Sequence, residues 1–81
     1  MITNKGVAVP DDMAAVLQSG ADALTAFEAL RPDDQRVYVD WIGSSAGAAQ
    51  RSERLGELNE HVRAYHRRPA QDETLHPLSR S

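Results

Sequence analysis

The sequence contains no cysteine, so neither a disulfide staple nor a thiolate metal site supports the fold, and redox chemistry through sulfur is excluded. Long apolar runs are missing too. The longest run is four to five residues, far short of the roughly 20 that a membrane span needs. The opening residues Met1-Ile2-Thr3-Asn4-Lys5 form no apolar signal core. No membrane span and a cytoplasmic location are therefore expected. A strong charge of one sign is also lacking, since the formal net charge is −3. Residues 1–50 hold Lys5, Arg31 and Arg36 against seven acids, and residues 51–81 hold six arginines against five. Acid comes early and arginine late, without the one-signed basic surface that drives sequence-independent binding to phosphate backbones. With 81 residues there is room for a single core and little stability to spare.

What is present organises into helices. Val7-Ala8-Val9 precedes Pro10 and reads as extended, because the residue before a proline is pushed away from helical angles. Residues 1–10 are thus an extended N-terminal arm. Asp11 and Asp12 then stand where the positive end of a helix dipole favours acids, ahead of Met13, Val16 and Leu17 on one face. That first helix runs to about Ser19, and Gly20 breaks it. A second helix, from about Ala21 to Leu30, follows from Ala23, Leu24, Phe27 and Leu30 at three- and four-residue steps.

Pro32 suits the first turn of a third helix, where its missing N–H costs nothing and Asp33 and Asp34 again complement the dipole. Val37, Tyr38, Trp41 and Ile42 share one side of it, which places the centre of the core there. Gly43-Ser44-Ser45-Ala46-Gly47 reads as a turn. Only Gly56 interrupts the chain from there to Pro69, predicting a fourth helix of about 20 residues and roughly 30 Å. The expected architecture is all-α: a compact four-helix domain over residues 11–68, three short helices and one long one, with a polar, disordered tail at 69–81. The predicted core is Leu17, Leu24, Phe27, Leu30, Tyr38, Trp41, Ile42, Leu55, Leu58 and Val62.

On a wheel of about 100° per residue, the fourth helix sorts its arginines. Leu55, Leu58, Val62 and Tyr65 form an apolar stripe with Arg51 at its middle. Arg51 is expected to cover apolar surface with its stem and to pair with a carboxylate of helix three or a helix end, or to stack on Trp41. An anion contact is the alternative. Arg54, His61 and Arg68 lie along the flank of the stripe, while Glu53, Glu60 and Arg67 face away. Arg54, His61, Arg68 and the neighbouring Tyr65 are the candidate partner-binding residues, although Glu57 beside the flank dilutes its charge.

Several of these residues also carry a resemblance. Val9-Pro10-Asp11-Asp12, Phe27-Glu28-Ala29-Leu30, Tyr38-Val39-Asp40-Trp41-Ile42 and Arg51-x-x-Arg54-Leu55 follow one another in the order and spacing of the bacteriocin-protection, YdeI or OmpD-associated family. The chain resembles that family over roughly residues 9–65. The resemblance implies a compact helical unit, commonly the C-terminal part of a longer protein that opens with a small β-rich domain. It also implies a link to antimicrobial-peptide resistance or to an outer-membrane porin, and it brings no catalytic residue. Arg31 departs from the serine usual before the proline, and Ala46 and Ala48 replace a lysine and a proline.

The titratable residues, read independently, offer no active site. His61 and His66 fall about 140° apart on a helix and cannot share a metal face. Glu57 with His61 is half a metal site, without a second pair. Asp11-Asp12 and Asp33-Asp34 are adjacent rather than facing, and each opens a helix, which favours a dipole role over acid–base chemistry. No nucleophile elbow, phosphate loop or dinucleotide glycine pattern occurs. The expected function is a protein-interaction or regulatory module without enzymatic activity, metal or cofactor, and with another protein as its partner. The alternative is a helix-turn-helix-like nucleic-acid binder formed by helices two and three, in which Asp33 and Asp34 would confront phosphates.

Overall fold

The computed structural model of the protein describes residues 1–20 and 22–67. The described residues form four helices: α1 (Asp11–Ser19), α2 (Ala23–Ala29), α3 (Pro32–Gly43) and α4 (Ala48–His66). The all-α expectation holds. Helix α2 is shorter than expected at its end because Leu30 is already extended, with ψ 156°. The expected tail at 69–81 and Arg68 lie outside the described residues.

Each helix start has a local cause. Pro10 leads into α1, whose first turn carries Asp11 and Asp12, and the Asp12 carboxylate accepts the Met13 N–H at 2.8 Å. Pro32 opens α3, and the preceding Arg31 is extended, with ψ 152°, as a residue before proline should be. Before α4, Gly47 takes φ +102°, a conformation that residues with a Cβ adopt only under strain. The Gln50 side chain accepts the Ala46 N–H at 2.7 Å across that start. At the α1–α2 break a Cβ on Gly20 would stand 2.8 Å from Asn59 Nδ2 and 2.9 Å from the Ala23 Cβ. Only a glycine lets Asn59 come this close, and Asn59 donates to the Val16 carbonyl at 2.8 Å, which pins the end of α1 to α4.

The long helix α4 packs against all three shorter ones. Between them lie Val9, Met13, Leu17, Phe27, Leu30, Tyr38, Ile42, Leu58, Val62 and Tyr65, all buried. Tyr38 meets Phe27 edge-to-face with ring centroids 6.2 Å apart, and its hydroxyl donates to the His61 carbonyl at 3.4 Å. Leu24, Trp41 and Leu55, expected inside, pack at the edge of this cluster and stay partly exposed. Trp41 in particular is not the centre of the core; Phe27 and Tyr38 take that place.

Residues 1–10 are extended and turn back on themselves. Ile2 and Ala8 form an antiparallel bridge, the Val9 N–H donates to the Met1 carbonyl at 2.7 Å, and Gly6 turns the chain with φ +84°. Thr3, Val7 and Val9 are thereby buried. The Thr3 hydroxyl accepts the Val7 N–H at 3.1 Å and donates to Gln35 Oε1 at 2.9 Å. Gln35 Nε2 donates in turn to the carbonyls of Phe27 at 2.9 Å and Leu30 at 3.2 Å, the end of α2. One fully buried amide thus ties the N-terminal turn, α2 and α3 together, satisfying carbonyls that a helix end leaves without partners.

Candidate functional site

The C-terminal end of α3 faces the first half of α4, and here two arginines meet two helix-end carbonyls. Arg54 Nη1 donates to the Trp41 carbonyl at 2.6 Å, and Arg51 Nη1 donates to the Ile42 carbonyl at 3.3 Å. Ser44 Oγ adds a bond to the Trp41 carbonyl at 3.2 Å, and Ser45 Oγ one to the Ile42 carbonyl at 2.7 Å. Cations at this position oppose the negative end of the helix dipole. The arginine pair, one helical turn apart on α4, matches two successive carbonyls on α3.

Beyond this shared role the two side chains diverge. Arg51 reaches across to α1, donating from Nε to Asp12 Oδ2 at 2.7 Å and from Nη2 to Asp12 Oδ1 at 2.9 Å. This two-pronged contact holds the Asp12 carboxyl below the ordinary aspartate value and raises the Arg51 guanidinium above its own. In both cases the hydrogen-bonded partner is the main cause, as expected of a charged fork on a carboxylate. The carboxylate expected for Arg51 is therefore at a helix end, the first turn of α1, and not on α3. Stacking on Trp41 belongs to Arg54 instead.

The Arg54 guanidinium carbon lies 5.5 Å from the centroid of the Trp41 ring. Two turns along α4, the His61 ring meets the same indole edge-to-face, 5.4 Å between centroids at 80°. Trp41, Arg54 and His61 are all partly exposed, so an indole in contact with both a guanidinium and an imidazole reaches solvent between α3 and α4. Of the residues expected on this flank, Arg54 and His61 come together there.

Tyr65 does not join them: it is buried and its hydroxyl donates to Asp34 Oδ2 at 3.2 Å. Asp34, itself buried, also accepts from Arg31 Nε at 3.4 Å, which raises the Arg31 guanidinium above its ordinary value chiefly through the charge of Asp34. Asp34 is thus turned into the fold rather than outward from the start of α3. Sequence reasoning overlooked Gln35, Thr3 and the pairing of Asp12. A signal for Gln35 was present, because it stands three residues before Tyr38 and seven before Ile42, on their face of α3. Among the described residues no group of three or more His, Asp or Glu side chains is placed to hold a metal ion, and no helix is long and apolar enough to cross a membrane.

A family model described as "Bacteriocin-protection, YdeI or OmpD-Associated" matches residues 6–64, well over half of the chain. No curated protein and no solved structure matches it. Several residues of the pattern named above separate by role in the structure. Phe27, Leu30, Tyr38 and Ile42 are buried, while Trp41, Arg51 and Arg54 form the junction of α3 with α4.

Proposed function

We propose, from the premise that the chain belongs to the bacteriocin-protection, YdeI or OmpD-associated family, that it acts by binding another protein through the strip of Trp41, Arg54 and His61. The observation that supports this reading is the placement of the only tryptophan. Trp41 is left partly exposed and flanked by a guanidinium and an imidazole where an apolar cover would have buried it. Tryptophan and arginine are the side chains that most often carry binding energy at protein interfaces, because each combines a large apolar surface with directed polar contacts. Arg54 is held in position by the Trp41 carbonyl and by Ser44 Oγ at 3.3 Å, which reduces the ordering a partner must impose.

On this reading the protein works without catalysis, in the cytoplasm, and its partner belongs to the protection process for which the family is described. Nothing in the geometry favours the nucleic-acid alternative. Affinity capture from an extract of the native cell tests the proposal. A partner retained by the parent and by Glu60→Ala, an exposed position on the opposite face of α4, should be lost with the double variant Arg54→Gln/His61→Ala. Retention by the folded double variant would remove the strip from the interface.

A further inference from the structure

Four of the described arginines already have a carboxylate. Arg31 lies 3.4 Å from Asp34, Arg36 3.1 Å from Asp33, Arg51 2.7 Å from Asp12, and Arg63 3.4 Å from Asp22. Arg54, in the body of α4, has none among the described residues. Its Nη1 is occupied by the Trp41 carbonyl and Ser44 Oγ, and its Nε and Nη2 donate to no group among the described residues. A guanidinium held against an aromatic face, with two donors and its charge unmatched among the described residues, is arranged for a carboxylate supplied by a partner.

The surroundings narrow the class of partner further. Val37, one turn before Trp41 on α3, is partly exposed on the same side, so the indole has an apolar neighbour on its own helix. Asp40 is exposed next to Trp41 in α3, whereas Glu53 and Glu60 are exposed on the far face of α4. Glu57, between Arg54 and His61 along α4, is itself engaged. A polyphosphate backbone would find a single unpaired guanidinium here and no one-signed basic surface, on a chain of net charge −3. A peptide segment can place one carboxylate on the arginine and an aliphatic side chain on the indole.

From the guanidinium of Arg54, without a carboxylate among the described residues and stacked on a partly exposed Trp41 one turn from Val37, we infer that the strip binds an acidic, aliphatic peptide segment of a partner protein. This inference rests on the strip being the contact surface and adds the chemistry of what it contacts.

Trp41 is the only tryptophan, so its fluorescence reads the site directly. The full chain is titrated with three probes: a blocked peptide of alternating leucine and glutamate, the same peptide with lysine for glutamate, and a single-stranded oligonucleotide. The glutamate peptide should give a saturable change in emission, and the other two should not. Arg54→Gln should weaken the glutamate peptide about tenfold, the loss of one charge-assisted contact, while Arg36→Gln on the far side of α3 should leave it unchanged. Arg54→Lys keeps the charge without the fork and should fall between, and thermal melts verify that each variant is folded. Equal binding of the lysine peptide, equal binding by Arg54→Gln, or saturation by the oligonucleotide overturns the inference. If no probe binds while capture from extract still depends on Arg54 and His61, the acidic class is wrong and the interaction surface stands; if that capture also fails, both fall.

Discussion

At its N-terminal end α3 is anchored by a fully buried neutral side chain, Gln35, which bonds to Thr3 and to the carbonyls of Phe27 and Leu30. At its C-terminal end the same helix is gripped from α4 by two partly exposed arginines, one of which extends to Asp12 in α1. The first set of contacts is dry, so breaking it strands buried polar groups at their full desolvation cost. The second set is washed by solvent and screened by salt, so each of its contacts is individually weaker. The comparison teaches where the domain keeps its stability and where it has surface free for a partner: the first lies around Phe27, Gln35 and Tyr38, the second along Trp41, Arg54 and His61.

The largest effect should come from the dry end. Phe27 is fully buried and meets Tyr38 edge-on, so Phe27→Ala should cost about 3–5 kcal/mol, comparable to the whole stability of so small a domain. Far-ultraviolet circular dichroism should show the variant largely unfolded, and a cooperative melt near that of the parent would break the comparison. Gln35→Leu comes next. It preserves bulk but leaves the Thr3 hydroxyl and the end of α2 without their partner, at a cost of about 1–3 kcal/mol by chemical denaturation. A neutral outcome would mean that the N-terminal turn detaches without consequence for the helices.

The exposed end should respond to pH and salt instead. Because the Asp12 carboxyl is held below its ordinary value by Arg51, the stabilisation it gives is fully present above the unfolded aspartate value of about 3.9. It is lost as pH falls through the lower, folded value. Asp12→Asn should therefore melt below the parent at neutral pH, by a few degrees at most, with the gap closing under acid and narrowing in high salt. A gap that persists at pH values below the folded titration would assign the loss to packing rather than to charge.

How much of this was legible in the sequence follows from the range of each interaction. The helices, their proline and glycine boundaries and most of the buried apolar residues follow from short-range patterns, as Leu17, Phe27, Leu30 and Leu58 illustrate. Periodicity placed Arg51 in the apolar stripe and Arg54 on its flank, and of the two partners open to Arg51 it is the carboxylate that is found, while the indole lies against Arg54. The wheel orders residues around α4 but does not fix how α3 crosses it, and one turn of difference decides which guanidinium covers Trp41. Asp12 with Arg51 and Asp34 with Tyr65 are separated by 39 and 31 residues, and acids at helix starts look alike whether they serve the dipole alone or also bind a distant side chain. Tyr65, placed in the apolar stripe and also offered as a partner-binding residue, is buried, and its hydroxyl partner on another helix was out of reach of the pattern.

The central claim is that Arg51 holds the fold while Arg54 serves the contact surface, and measuring melting temperature and partner capture on Arg51→Gln and Arg54→Gln side by side tests it most directly. Arg51→Gln loses a two-pronged bond to Asp12 as well as its helix-end contact, so it should lower the melting temperature more and still capture the partner below its melt. Arg54→Gln should melt closer to the parent and lose capture. If the variant that melts lower is also the one that loses capture, or if neither loses it, the division of labour between the two arginines is contradicted.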